Sequence, residues 1–447
     1  MTSSRKRKHV PETVPFRATP AGDPTPVEAW ANAAVWNDRM LATLRTGVRG
    51  GKWHTLSDKV FRPDNLQAAA ERVIANKGAA GVDHVDVFTF NSRLTEELSR
   101  LQAALAEDSY RPQVIRRTWI PKPGGTEKRP LGIPTVRDRV VQTALLHVLE
   151  PIFDVTFHEH SYGFRHGRGC HHALERVEQL LEAGYVYVVD ADLKSYFDTI
   201  PHDRLMARVK ERVSDSRVLR WIEMFLKQGI LEDLAVWTPE TGTPQGAVLS
   251  PLLANIYLNP LDHLLSEAGF EIVRYADDFV ILCRNAPEAE RALALVQSWT
   301  ADNGLTLHPT KTRIADARSD EGFQFLGYWF KKGHIRDPRP KSLQKLKETL
   351  RPKTKRTSGR CMKAIIADVN PVLRGWFVYF RHCHWNVYTD IDSWLRMRLR
   401  SILRKRRKRR GKARGRDHVR WPNSYFDTQG LWSLHTAHAR YSQSSLR

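Results

Sequence analysis

The chain has 447 residues, with 71 Lys and Arg against 49 Asp and Glu and a net charge of +22. That length accommodates a substantial core in about two to four structural units, and the basic excess favours a polyanionic partner while saying little about fold. No apolar run approaches the roughly 20 residues that span a bilayer and no signal peptide opens the chain, so a cytoplasmic, nucleic-acid-facing protein with no membrane contact is expected.

Taken in order, residues 1–29 are rich in Pro, Thr, Ser and basic side chains, including Arg5-Lys6-Arg7-Lys8, and are expected to be a disordered tail. A helical pattern follows, with Leu66, Ala69, Ala70, Val73 and Ile74 at three- and four-residue spacing and Gly78 as a stop. Pro123-Gly124-Gly125 between strand-forming runs reads as a hairpin whose arms carry Lys122 and Arg129, so that both cations can face one object. Residues 137–150 form an apolar-faced helix, and the basic-plus-aromatic stretch Tyr162 to Arg168 has the mixture expected of strand binding.

An apolar strand, Tyr185 to Val189, ends in Asp190-Ala191-Asp192. Thr241 to Gly246 precedes an apolar helix over residues 250–265. Val273 to Leu282 is a second hairpin with Asp277-Asp278 at its turn. A helix over residues 287–303, the segment carrying Lys311, and Phe323 to Tyr328 complete this half. From about Arg339 the composition turns basic and helical, and 14 of the 25 residues from Arg396 to Arg420 are Lys or Arg. Such a run can be a solvated tail; the aromatic residues that follow it, among them Trp421, Tyr425 and Trp432, favour a folded basic surface that includes Arg404, Lys405, Arg406 and Arg407. The four cysteines form no paired motif, so reduced thiols are expected, and His382-Cys383-His384 lacks metal-finger spacing.

Side-by-side carboxylates repel, and an isolated Asp-Asp tip would simply be solvated. Asp192 at a strand end supplies a third carboxylate; with Asp277 it can hold two hard cations, Mg²⁺ being the natural choice, for an in-line phosphoryl displacement. Nucleotidyl transfer is therefore the leading chemistry.

Asp192 to Asp198, Thr243-Pro244-Gln245-Gly246 with Ser250 to Asn255, and Tyr275-Ala276-Asp277-Asp278 stand in the order of the polymerase motifs of reverse transcriptases. The chain most resembles the reverse transcriptase/maturase proteins of bacterial group II introns. The resemblance implies an α+β right-hand polymerase with fingers, an antiparallel palm sheet and a helical thumb, plus a basic helical maturase domain. The expected divisions are 30–90 (N-terminal extension), 91–337 (fingers and palm), 338–385 (thumb) and 386–447 (maturase and DNA binding). Asp192, Asp277 and Asp278 become the catalytic metal ligands. Lys122, Arg129, Phe197, Gln245 and Lys311 become nucleotide contacts, with Phe197 under the sugar as a gate against a 2′-hydroxyl and Lys311 either near the departing pyrophosphate or merely solvated. Phe325, Leu326 and Gly327 match a primer grip; Arg165, His166 and Arg168 are template contacts. Asp198 is explained by capping the next helix, and Asp190 carries no assigned chemistry.

The implied partners are intron RNA, a DNA target or primer and dNTPs, with monomer and dimer both open. The implied activity is RNA-directed DNA synthesis together with splicing and retrohoming of the intron. An RNA-binding splicing chaperone with a vestigial polymerase is the alternative, as is a relative serving a defence system. The family frequently adds a C-terminal endonuclease with paired Cys and His; the chain stops at Arg447 without them, so priming from an existing DNA end is expected.

Overall fold

The computed structural model describes residues 26–48, 50–121, 128–232, 235–332 and 335–445; the basic tail, Lys122 and the Pro-Gly-Gly tip lie outside the described residues. Helices start where short polar side chains can accept orphan backbone N–H groups. Thr135 receives Asp138 N–H at the start of Val136–Asp154, Asp215 caps Ser216–Leu226, and Asn285 caps Ala286–Asp302 with Pro287 in its first turn. The helices expected near residues 137–150, 250–265 and 287–303 are present with ends shifted by a few residues.

The strands are β1 (Ile115–Pro121), β2 (Lys128–Ile133), β3 (Tyr187–Asp192), β4 (Ile230–Glu232), β5 (Ala235–Trp237), β6 (Glu271–Tyr275), β7 (Asp278–Cys283), β8 (Arg313–Asp316), β9 (Phe323–Phe325), β10 (Tyr328–Lys331) and β11 (Ile335–Pro338). They form a fingers sheet in the order β2-β1-β4-β5, a palm sheet in the order β6-β7-β3-β8, and a three-stranded sheet in the order β11-β10-β9. Every palm pairing is antiparallel, whereas β1 and β4 run parallel.

The palm sheet separates two cores. Side chains alternate across a strand, so Val189, Ala191, Phe279 and Ile281 enter one core with the helices Pro63–Ala75, Val136–Asp154 and Ser250–Glu267. Val188, Val273, Val280 and Leu282 enter the other, with the helices Cys170–Glu182, Pro340–Lys353, Met362–Phe380 and Trp385–Arg406. This second core runs across residue 385 without interruption: Leu373 and Phe380 are buried with Tyr388, Ile391 and Leu395, and Tyr388 Oη donates to the Phe380 carbonyl at 2.6 Å. A sheet buried on both faces carries its functional groups at its ends, where the backbone leaves the apolar sandwich.

In the first core the Asp138 carboxylate accepts from Tyr110 Oη (2.6 Å) and the Gln113 N–H (3.1 Å). Burial nevertheless lifts its pKa to about 6 from an ordinary 3.8. The folded chain therefore keeps this proton longer than the unfolded chain. The associated stability is present below pH 4 and is lost as pH rises towards 6 and beyond, amounting to on the order of 2–3 kcal/mol. Urea unfolding of the parent and Asp138→Asn at pH 5 and pH 7.5 should show a smaller pH-dependent fall in the variant.

Candidate active site

β3 delivers Asp192 to the end of the palm sheet, where its partner across the ladder is Asp278, the first residue of β7. Period-two alternation places Asp190, Asp192 and Asp278 on the face turned towards the second core, while Asp277 sits in the turn between β6 and β7. Like charges directly opposite each other repel. Burial, reinforced by Asp190 and Asp277, lifts Asp278 to about 7, and the backbone N–H of Leu326 works in the opposite direction. Asp190 is lifted to about 6, mainly by burial, with Arg313 opposing. Asp277 is raised by burial and by Asp192, against its own backbone N–H, Arg274 and Lys311.

Asp192 is the exposed member, and the Lys311 ammonium lies 2.7 Å from its Oδ2. The expected trio thus divides: Asp192 is the more exposed and carries Lys311, whereas Asp277 and Asp278 are raised mainly by burial, Asp278 feeling Asp190 and the Leu326 backbone as well. Among the described residues no three His, Cys, Asp or Glu side chains are gathered so as to hold a metal ion. Two hard oxygen donors with an open side suit an ion that keeps waters and takes substrate phosphate oxygens, as Mg²⁺ does.

The turn itself is tightly shaped. Ala276 is left-handed at φ +61°, a conformation that L-residues adopt at some cost. Gly163 packs against it so closely that a Cβ there would fall 2.2 Å from Ala276 N.

Phe197 and Gln245 line one cavity of about 270 Å³, together with Arg117, Pro130, Gly132 and Trp237. Its wall is joined by backbone bonds from Gly132 N–H to the Gln245 carbonyl (2.6 Å) and from Thr243 N–H to the Phe197 carbonyl (2.6 Å). Arg129 is exposed on β2, next to the cavity-lining Pro130. Asp198 caps nothing: it lies inside the short helix Tyr196–Thr199, and the following helix His202–Lys210 has Pro201 at its N-cap. On the other flank Phe325, Leu326 and Gly327 form the β9–β10 corner, with positive φ at Leu326 (+47°) and Gly327 (+82°). Tyr379 Oη donates to the Leu326 carbonyl at 2.8 Å and Arg339 N–H to the Gly327 carbonyl at 2.9 Å, tying this corner to the helices beyond it.

The basic residues need one correction. Arg165 is only 5% exposed. Its guanidinium is consumed by the Asp154 carboxylate (2.6 Å) and by the carbonyls of Asp154, His158 and Ser161, so it braces the segment from inside and has no donor for a template phosphate. Arg168 is half-buried over the Tyr162 ring, and His166 stacks on Trp30 with 4.4 Å between ring centroids. Arg404 is tied to Asp417 at 2.5 Å, while Lys405, Arg406 and Arg407 are exposed, Arg407 lying over Trp421.

Sequence reasoning missed a buried polar set beneath the turn: Arg274, Asp262 and Asn255. Its signal was an arginine inside an apolar strand, plus Asn and Asp seven residues apart, hence on one face, in an apolar helix.

Two family models match the chain: reverse transcriptase (RNA-dependent DNA polymerase) over residues 120–330, and the group II intron maturase-specific domain over residues 343–421. Protein YkfC of Escherichia coli K12 is 34% identical over 329 residues, 65% of this chain and 86% of that protein. Group II intron-encoded protein LtrA of Lactococcus lactis is 37% identical over 215 residues, 48% of this chain and 36% of LtrA. Nuclear intron maturase 4, mitochondrial, of Arabidopsis thaliana is 27% identical over 50% of this chain and 27% of its own length. The maturase match spans both sides of residue 385, as the second core does.

Replacing Arg165 by Ala would leave the Asp154 carboxylate without its partner in a mostly buried setting, which costs about 3–5 kcal/mol. Chemical unfolding should show that loss, and RNA affinity of the still-folded fraction should be close to that of the parent.

Proposed function

The chain belongs to the reverse transcriptases of group II intron type, and on that premise we propose that it is an RNA-directed DNA polymerase that extends a DNA primer on intron RNA and binds the same RNA as a maturase. The observation that carries this reading is the meeting of Asp192 and Asp278 across adjacent strands, with Asp277 in the adjoining turn. No helix among the described residues is long and apolar enough to cross a membrane.

Asp192 and Asp277 would hold divalent cations, Mg²⁺ in this proposal, which when bound activate the primer 3′-hydroxyl and neutralise the leaving pyrophosphate. Asp278 would stand beside them, its ionised form favoured by the Leu326 backbone of the primer grip. Lys311, exposed and flexible, is placed to exchange Asp192 for the departing phosphate and to deliver a proton there. Arg129, with Lys122 on the opposite arm, would face the triphosphate and stabilise charge that grows on the leaving group. The Phe197 ring would sit under the sugar and exclude a 2′-hydroxyl by shape, and Gln245 would contact the nucleotide from the opposite wall. Leu326 and Gly327, presented by the buried Phe325, would carry the primer backbone. Arg168, Lys405, Arg406, Arg407 and the outer edge of Arg404 would meet RNA phosphates, making binding steeply salt-dependent.

Primer extension on an RNA template, with and without Mg²⁺, tests the assignment. Asp277→Ala should lower extension by at least about a thousandfold, as expected for loss of a metal ligand, while RNA affinity stays near the parent's. Equal loss of RNA binding would assign Asp277 to the fold instead, and a parent chain that binds RNA but never extends would leave a splicing chaperone. Phe197→Ala should incorporate ribonucleotides more readily; competition between dNTPs and rNTPs in single-nucleotide extension reads this directly, and unchanged sugar selectivity rejects the gate.

A further inference from the structure

Arg274 lies on β6, one residue before Tyr275 of the catalytic turn, and its side chain is fully buried (0% exposed). All of its directions are occupied. Nε donates to Asp262 Oδ1 at 2.8 Å and Nη2 to Asp262 Oδ2 at 2.5 Å. Nη1 donates to Asn255 Oδ1 at 2.8 Å and to the Ala276 carbonyl at 2.9 Å. Asn255 passes the connection on, its Nδ2 donating to the Gly163 carbonyl at 2.8 Å. Gly163 packs against Ala276 N with no room for a Cβ. The main chain repeats the join, with Tyr162 N–H donating to the Arg274 carbonyl (2.8 Å) and Arg274 N–H to the His160 carbonyl (3.0 Å).

A buried ion pair is weak evidence of stabilisation, because apolar side chains of similar volume commonly do as well or better. A planar guanidinium offers something those side chains cannot. Two of its nitrogens lock on one carboxylate, which fixes the direction of the third. Here the third nitrogen points at the Ala276 carbonyl, in the one residue of the turn held left-handed.

We infer that Arg274 is a positioning residue for polymerisation: gripped by Asp262 and Asn255, it pins the Ala276 carbonyl and so sets the left-handed turn that aims the Asp277 carboxylate. The inference rests on the polymerase reading. It names a role for Arg274, Asn255 and Asp262 in which none of them touches a substrate or a metal.

The test replaces the ion pair by apolar side chains, Asp262→Leu with Arg274→Met, so that no unpaired charge is buried. Melting temperature and affinity for primer–template should stay near the parent's, and the KM for dNTP should change little. Turnover should fall about 10–100-fold, as expected when a reacting group is slightly misplaced. Mn²⁺ bound by the protein–primer–template complex, measured by electron paramagnetic resonance, should weaken about tenfold. A folded double variant whose turnover stays within about threefold of the parent, or whose Mn²⁺ affinity is unchanged, overturns the inference. If the double variant does not fold, Asn255→Ala, which leaves the ion pair intact, is judged by the same two readouts. The parent measured alongside separates the two failures: a parent without extension sinks the polymerase reading, and Mn²⁺ affinity then decides the positioning role alone.

Discussion

The architecture depends on keeping carboxylates at the end of a sheet that is buried on both faces. β3 and β7 are apolar because two cores press on them, and only where they leave the sandwich do Asp190, Asp192 and Asp278 appear. Placing like charges opposite one another in a low-dielectric rim costs free energy. The raised pKa values of Asp190, Asp277 and Asp278 express that cost. A fold does not retain such a cluster for stability, and a bound cation reverses the local balance by lowering the cost of ionising the same groups.

Much of this arrangement was legible in the sequence. The apolar, β-branched and aromatic runs of the Val273 to Leu282 hairpin and of Tyr185 to Val189 identified the three strands, and their acidic ends identified where the chemistry would sit. Alternation does not say which strands pair, so the Asp192–Asp278 register had to come from tertiary structure. It also cannot separate the exposed Asp192 from the deeper Asp278. Arg165 misled for a related reason: in sequence a cation among aromatic residues looks like a strand-binding group, and only the position of Asp154 across the fold shows that its donors are spent. The Arg274 set was overlooked because isolated polar residues in an apolar segment carry no pattern of their own.

Coupling between parts follows from the second core. The β9–β10 corner is bonded to Tyr379 and Arg339 of the helical C-terminal half. Movement of those helices therefore has a direct mechanical route to the β9–β10 corner. The uninterrupted packing of Met362–Phe380 against Trp385–Arg406 makes thumb and maturase region one body in this respect.

Of the cations near the carboxylates, Arg274 and Lys311 do opposite jobs, and their burial says why. Arg274 is sealed, bidentate on Asp262, and spends its charge there, so it shapes the turn and relieves Asp277 only in part. Lys311 is exposed and pairs with Asp192 on a flexible stem. An exposed ion pair of this kind contributes little to stability, so it yields readily to a divalent ion or a phosphate. A fixed cation that sets geometry together with a mobile one that can be displaced leaves the acidic end shaped but not neutralised. That residual negative charge, rather than any single ligand distance, is what would make the site receptive to a divalent ion.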